Sequence, residues 1–402
     1  MTLLSHRLAD VRPSATKAMT AKARELKEAG RSIIALSAGE PDFDTPGAVK
    51  QAGIEAIRSG KTKYTPVAGI APLREAIAEK LRRDNGLIYD PDQITTACGA
   101  KQVIFNALFA TLNPGDEVVI PVPCWVSYPD MVRLAGGTPV TVECGEENGF
   151  KLTPERLSAA ITPKTRWLML NSPSNPTGAV YSAAELGSLA SVLEAHPHVW
   201  VLADDIYEKL IYGTAEFATM AQAAPALGGR TLTINGVSKA NAMTGWRLGY
   251  GAGPAALIKA MNTIQGQTAS HTSSISQYAA IEAIAGDQSY LANFVSAYEK
   301  RRDLVVGKLN EAPGITCGTP DGAFYVFACC RDLIGRSTPS GKIIESDADL
   351  AMHFLETAGV AVVPGSGFLF SPYFRVSYAS SEAELTEGCD RIIAACKQLN
   401  RG

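Results

Sequence analysis

The sequence predicts an α/β protein: a mostly parallel sheet flanked by helices, with a smaller α+β part joined to it. Three observations carry this. The runs ITTAC, EVVIPV, TPVTVE, RWLMLN, HVWVLAD and TLTINGV read as strands, and several are continuously apolar, as in a sheet buried on both faces. Helical patterns alternate with them, which suits right-handed crossovers. After Pro313 the character changes to short, mixed signals.

In chain order, SATKAMTAKARELKEAG reads as a helix, with Ser14 as N-cap and Gly30 as its stop. RSIIALSAGEPDFDTP gives a short strand and then a Gly- and Pro-rich turn. Helices fit AVKQAGIEAIRSG and APLREAIAEKLRRDNG. The sheet strands follow, and a long helical region runs from about Pro254 to Asn310. Beyond it, ITCGTPDGAFYVFACC reads as a hairpin, DADLAMHFLETAG as a helix, and VAVVPG and YFRVSYA as strands. SEAELTEGCDRIIAACKQLN reads as the last helix. The expected division is a large domain over 48–295, and a small one made of 1–47 with 296–402.

Composition narrows the function. The chain has 402 residues with 37 Lys plus Arg against 40 Asp plus Glu, a net charge of -3. That balance argues against a nucleic-acid or anionic-membrane partner. The N-terminus MTLLSHRLADVRPS is too charged for a signal peptide. Apolar runs fall short of the ~20 residues that span a bilayer. A cytoplasmic protein is expected. The eight Cys include no CxxC and the five His no HExxH, so no metal site is expected and the thiols read as reduced and mostly buried. No GxSxG occurs, which leaves a serine hydrolase unsupported. GYGAGP places Pro254 where a dinucleotide fingerprint needs glycine, which disfavours a nicotinamide dehydrogenase.

The informative segment is NGVSKANAMTGWRLGYGAGP. Lys239 follows an apolar strand, beside Ser238 in a polar turn. A lysine at a strand end within a cleft has its pKa lowered by desolvation and nearby cations, and a neutral amine there can bond covalently to an aldehyde. Arg247 can grip a phosphate with its planar fork. Spacing alone would leave both as surface residues. The whole string SKxxxMTGWRxGY, however, resembles the active-site segment of class I, fold type I pyridoxal-phosphate (PLP) aminotransferases.

That resemblance extends along the chain, from RPSAT to FRVSYA, in the family's motif order. It implies the family's fold, with a seven-stranded sheet in the large domain, and pyridoxal 5′-phosphate as cofactor, carried by Lys239. In VLADDIYEKL it implies that Asp204 faces the pyridine nitrogen and that Tyr207 hydrogen-bonds the phenolic oxygen. Asp205 is the competing carboxylate. Asn175, in an unchanged NPTG, would touch both cofactor and substrate carboxylate, and Trp125 would stack on the pyridine ring. Gly99 and Ala100 leave room for the phosphate at a helix N-terminus. Tyr64 would reach the cofactor phosphate of a partner subunit, which implies a homodimer. Arg375 and Gly39 would bind the α-carboxylate of the substrate. One departure is Gly236, where some members carry a phosphate-binding serine, and Ser238 is the substitute.

Lys101 separates branches of the family. A cation in the first turn of a helix is unfavourable unless an anion binds there. In bacterial aspartate aminotransferases that lack the usual distal arginine, a lysine here recognises the side-chain carboxylate, assisted by residues matching Ser14 and Thr16. A basic residue near Arg12 contributes in relatives that accept prephenate. Transamination between aspartate and 2-oxoglutarate is therefore expected, with prephenate as a second acceptor. An aminotransferase for aromatic or apolar amino acids, a PLP lyase of the same fold, or a PLP-binding regulator are the alternatives.

Overall fold

A computed structural model of the chain describes Leu3, Ser5, Leu8, Val11 and residues 15–400. Its strands are, in order, β1 (Ile34–Ala35), β2 (Ile94–Ala97), β3 (Glu117–Val122), β4 (Thr138–Glu143), β5 (Thr165–Asn171) and β6 (Trp200–Asp204), then β7 (Thr231–Gly236), β8 (Gly249–Ala252), β9 (Tyr325–Cys329), β10 (Val360–Ala361), β11 (Val363–Pro364) and β12 (Tyr373–Ser377). Seven form one sheet in the order β2-β8-β7-β6-β5-β3-β4. All its pairings are parallel except the two made by β8. The expected α/β architecture with a mostly parallel seven-stranded sheet is what forms.

The strand interiors explain this order. β8 and β7 are buried at every position, and β6 at all but its first, so the middle of the sheet is covered on both faces. β4, at one edge, has no fully buried residue. The strand missing from the sequence reading is β8, GYGA, whose glycines carry little strand propensity. Their absent side chains are what the fold needs. A Cβ on Gly249 would lie 2.2 Å from the Ala100 nitrogen, and one on Gly251 2.7 Å from Val103 Cγ1. The helix Ala100–Thr111 thereby settles directly on the sheet, which fixes where its N-terminus points.

A second body of structure holds a parallel pair, β1-β10, and an antiparallel three-stranded sheet, β11-β12-β9. Chain-terminal segments share its core: Met19, Ile34 and Leu36 pack with Leu309, Phe354, Phe374 and Ile392. Ile206, Tyr207 and Leu210, just after β6, join the same core. Two expectations change here. The hairpin in ITCGTPDGAFYVFACC reduces to one strand, β9, with a single bridge between Thr316 and Cys329, because β9 finds its long partner in β12. VAVVPG splits into β10 and β11, which belong to different sheets. The helical region after Pro254 is three helices, Ala255–Thr268, Ser274–Ala285 and Tyr290–Asn310. Gly30 stops the first helix, Ala15–Glu28, in a left-handed conformation (φ 85°). Ser14, its expected cap, lies outside the described residues. Among the described residues no helix is long and apolar enough to cross a membrane. All eight cysteines are free thiols, and only Cys98 is exposed.

Candidate active site

The carboxyl ends of β5, β6 and β7 deliver Asn171, Asp204 and the turn holding Lys239 to one edge of the sheet, where ligands of open α/β sheets bind. Gly236 closes β7. A Cβ there would lie 2.9 Å from the Leu248 carbonyl and 3.0 Å from Gly249 Cα, so contact with β8 accounts for glycine where some relatives have serine. Ser238 is buried two residues on.

Lys239 reaches across to the second core: its Nζ donates to the Gly39 carbonyl at 2.6 Å. Burial, then the Arg375 charge, lowers its pKa from 10.5 to about 8, and Arg247 adds to this while Glu40 and Asp204 oppose it. Its ammonium therefore gives up a proton far more readily than an ordinary lysine, as a nucleophile or proton acceptor requires.

Asp204 is 4% exposed, and Tyr128 donates to its Oδ2 at 2.5 Å. Burial raises its carboxyl to about 6; the Tyr128 hydrogen bond, the Ile206 amide and the Lys239 charge act the other way. The neighbouring Asp205 is equally buried but has a different set of partners. Burial pushes it well above the usual range, and Thr219, Glu208 and Lys80 act on it as well. Asp204 and Lys239 act on each other's titration, whereas the cation acting on Asp205 is Lys80.

Arg375, on β12, is 1% exposed. Its Nη1 donates to Asn175 Oδ1 at 2.9 Å and its Nη2 to the Ser37 carbonyl at 2.8 Å, while Nε has no partner. The guanidinium lies 4.3 Å from the centroid of the Tyr325 ring. Asn175 is held in turn by its backbone N–H donating to Asn171 Oδ1 at 2.9 Å, and Asn171 Nδ2 donates to the Asp204 carbonyl at 2.8 Å. Tyr207 is buried, with its hydroxyl 2.8 Å from that of Tyr325.

The helix Ala100–Thr111 has no side-chain cap. Gly99 occupies its N-cap with φ 81° and ψ 162°, a region open essentially to glycine. The first-turn N–H groups of a helix have no intrahelical acceptor. Arg247 closes over this turn: a Cβ on Gly99 would lie 2.5 Å from its Nη2. The guanidinium donates to the Thr244 and Cys98 carbonyls at 2.9 and 3.3 Å. Lys101 points its Nζ to Ser127 Oγ at 3.2 Å and lies 4.6 Å from the Trp125 ring centroid. Trp125 packs edge-on against Tyr128.

Gly39, Lys239, Asp204, Tyr207, Asn175 and Arg375 thus lie in one cluster linked by hydrogen bonds and charge. Gly99, Ala100 and Arg247 meet at the start of the helix, with Lys101 in the same first turn and Trp125 against it. Tyr64 is apart from the buried cluster, 92% exposed and edge-on to His271. Arg12 and Ser14 lie outside the described residues, as does the side chain of Thr16. Sequence reasoning missed Tyr128, Asn171 and Tyr325. Tyr128 follows Trp125 by three residues and contacts Asp204, 76 positions later, and no local signal marks that pairing.

The donor set fits pyridoxal 5′-phosphate. A buried carboxylate, a lysine of lowered pKa and a glycine cradle with an arginine match its ring nitrogen, its aldehyde and its phosphate. Comparison with known proteins agrees. The family described as aminotransferases of class I and II matches residues 31–392. The chain is 57% identical over 400 residues to an aspartate/prephenate aminotransferase of Cereibacter sphaeroides, covering 100% of both. Among solved structures it resembles the aspartate aminotransferase from Rhizobium meliloti, with a TM-score of 0.97 and 52% identity over 100% of both chains. It also resembles the aspartate aminotransferase from Thermus thermophilus with maleate, with a TM-score of 0.92 and 44% identity over 98% of this chain and 100% of that one.

Proposed function

Because the chain belongs to the class I and II aminotransferases and has pyridoxal 5′-phosphate as its cofactor, we propose that it moves an amino group between aspartate and 2-oxoglutarate, with prephenate as a further acceptor. The observation that carries the reading is the single linked cluster of Lys239, Asp204, Asn175 and Arg375. The cofactor supplies an electron sink for the charge left on the substrate Cα.

The chain's residues do the rest. Lys239 would hold the cofactor through its aldehyde carbon and, once freed by the incoming amine, would be the base placed to move the proton from the substrate Cα. Asp204, fixed by Tyr128, would hold the pyridine nitrogen in its protonated form. Tyr207 would donate to the phenolic oxygen and Trp125 would pack against the ring. Gly99, Ala100, Ser238 and Arg247 would hold the phosphate. Arg375 grips the α-carboxylate, with Asn175 and Gly39 beside it. Its guanidinium has no carboxylate partner within the described residues, and its Nε is unbonded, so charge and donors remain for substrate.

Lys101 is assigned to the second carboxylate, with Ser14, Thr16 and Arg12 completing that end. Two things support an acidic substrate: a cation at a helix start, and a relative solved with maleate, a dicarboxylate. The large domain, 48–295, carries the cofactor, and 1–47 with 296–402 closes over substrate. Tyr64, too exposed to serve its own chain's buried cluster, serves a partner subunit in a homodimer. Free thiols suit a reducing cytoplasm.

The test is amino transfer from aspartate to 2-oxoglutarate, compared with phenylalanine as donor. Lys239→Ala is expected to abolish both. Lys101→Ala is expected to weaken aspartate about 10-fold or more and phenylalanine little, by the worth of one charge-assisted hydrogen bond. Equal loss on both donors would assign Lys101 to the cofactor or the fold instead.

A further inference from the structure

Tyr325 is fully buried on β9 and belongs to neither the motifs nor the roles above. In the β9-β12 register Arg375 lies opposite Phe327, so Tyr325 is its diagonal neighbour on the same face, within reach of a long side chain. Its ring lies 4.3 Å from the Arg375 guanidinium carbon, and its hydroxyl is 2.8 Å from that of Tyr207. It therefore touches the residue assigned to the substrate carboxylate and the one assigned to the cofactor.

Each hydroxyl has one proton, and one hydrogen bond joins the two oxygens. Were Tyr207 the donor, its proton would be spent, and the Tyr325 proton would need another acceptor. Among the described residues the Tyr325 hydroxyl has no hydrogen-bond partner other than Tyr207, whereas the Tyr207 proton has an acceptor in the cofactor oxygen assigned to it. With Tyr325 as donor, its proton is satisfied and the Tyr207 proton is left free.

We propose that Tyr325 is a positioning residue joining the two ends of the site: its hydroxyl donates to the Tyr207 oxygen, which leaves the Tyr207 proton to face the cofactor, while its ring carries the Arg375 guanidinium. This rests on the reading that Tyr207 donates to the cofactor's phenolic oxygen.

The test is the pH midpoint of the visible absorption of the PLP-loaded protein, with steady-state KM measured alongside. Losing the Tyr207 hydrogen bond disfavours the ionised phenolic oxygen, so Tyr207→Phe should raise the midpoint. Tyr325→Phe, which keeps the ring and its packing, should raise it less, by about half to one pH unit, the worth of one neutral hydrogen bond. The double variant should match Tyr207→Phe alone. Tyr325→Phe should hold KM for aspartate and 2-oxoglutarate within about twofold, whereas Tyr325→Leu should raise both about 5-fold or more, since the cation–ring contact is lost. A shift with Tyr207→Phe but none with Tyr325→Phe would overturn the proposal. So would additive shifts in the double variant, or a KM rise in Tyr325→Phe equal to that in Tyr325→Leu. No shift with Tyr207→Phe would overturn the parent assignment and the proposal with it.

Discussion

Replacing Asp204 by asparagine should make the cofactor-free chain more stable while disabling the enzyme. Burial holds the Asp204 carboxyl at about 6, against 3.8 for an ordinary aspartate. At 1.36 kcal/mol per pH unit, keeping it ionised at neutral pH costs about 3 kcal/mol. Asparagine carries no charge and its carbonyl can still accept from Tyr128, and the shift to about 6 already includes the benefit of that bond to the charged form, so the gain is up to about 3 kcal/mol. The sign with pH follows from proton binding. The folded chain holds the Asp204 proton more tightly than the unfolded chain. Stability from this group therefore falls as pH rises from about 4 to about 6 and is constant above that. Urea unfolding of the cofactor-free proteins should show the variant ahead at about pH 7.5 and level with the parent near pH 4. The same variant should bind PLP about 10-fold or more weakly, since the pyridinium loses its counter-charge. A variant less stable than the parent at neutral pH would refute the reasoning, because the buried charge would then not be the dominant cost.

Other outcomes follow from single contacts. Arg375→Lys loses the planar fork and should raise KM for aspartate and 2-oxoglutarate together by about 10–100-fold, the worth of one charge-assisted hydrogen bond, in steady-state kinetics. Gly99→Ala puts a side chain at φ 81°, 2.5 Å from Arg247 Nη2, at a cost of about 1–3 kcal/mol. It should weaken PLP binding by about 10-fold or more in equilibrium titration, and an unchanged affinity would remove this turn from the phosphate site.

Much of the site is legible in the sequence because its residues travel in short strings. Lys239 with Arg247, Asp204 with Tyr207, and Asn175 with its NPTG each sit at a strand end followed by a turn, and the same sheet edge gathers them. What is not legible depends on distant contacts. Tyr128 and Asp204 are 76 positions apart, Tyr207 and Tyr325 118, and Asn175 and Arg375 200. Only the folded register reveals which of them meet. β8 escapes the sequence because glycines that serve helix packing look like a turn. VAVVPG reads as one strand because periodicity cannot show that Val362 separates two strands in different sheets.

The most direct test of the central claim is a visible spectrum of the purified protein before and after adding aspartate. A yellow protein whose visible band is replaced by near-ultraviolet absorption, as the cofactor takes up the amino group, is the predicted result. Tyrosine and tryptophan absorption alone, persisting after PLP is supplied, would contradict it: Lys239 would then not carry the cofactor, and the likeness to aminotransferases would be one of fold only.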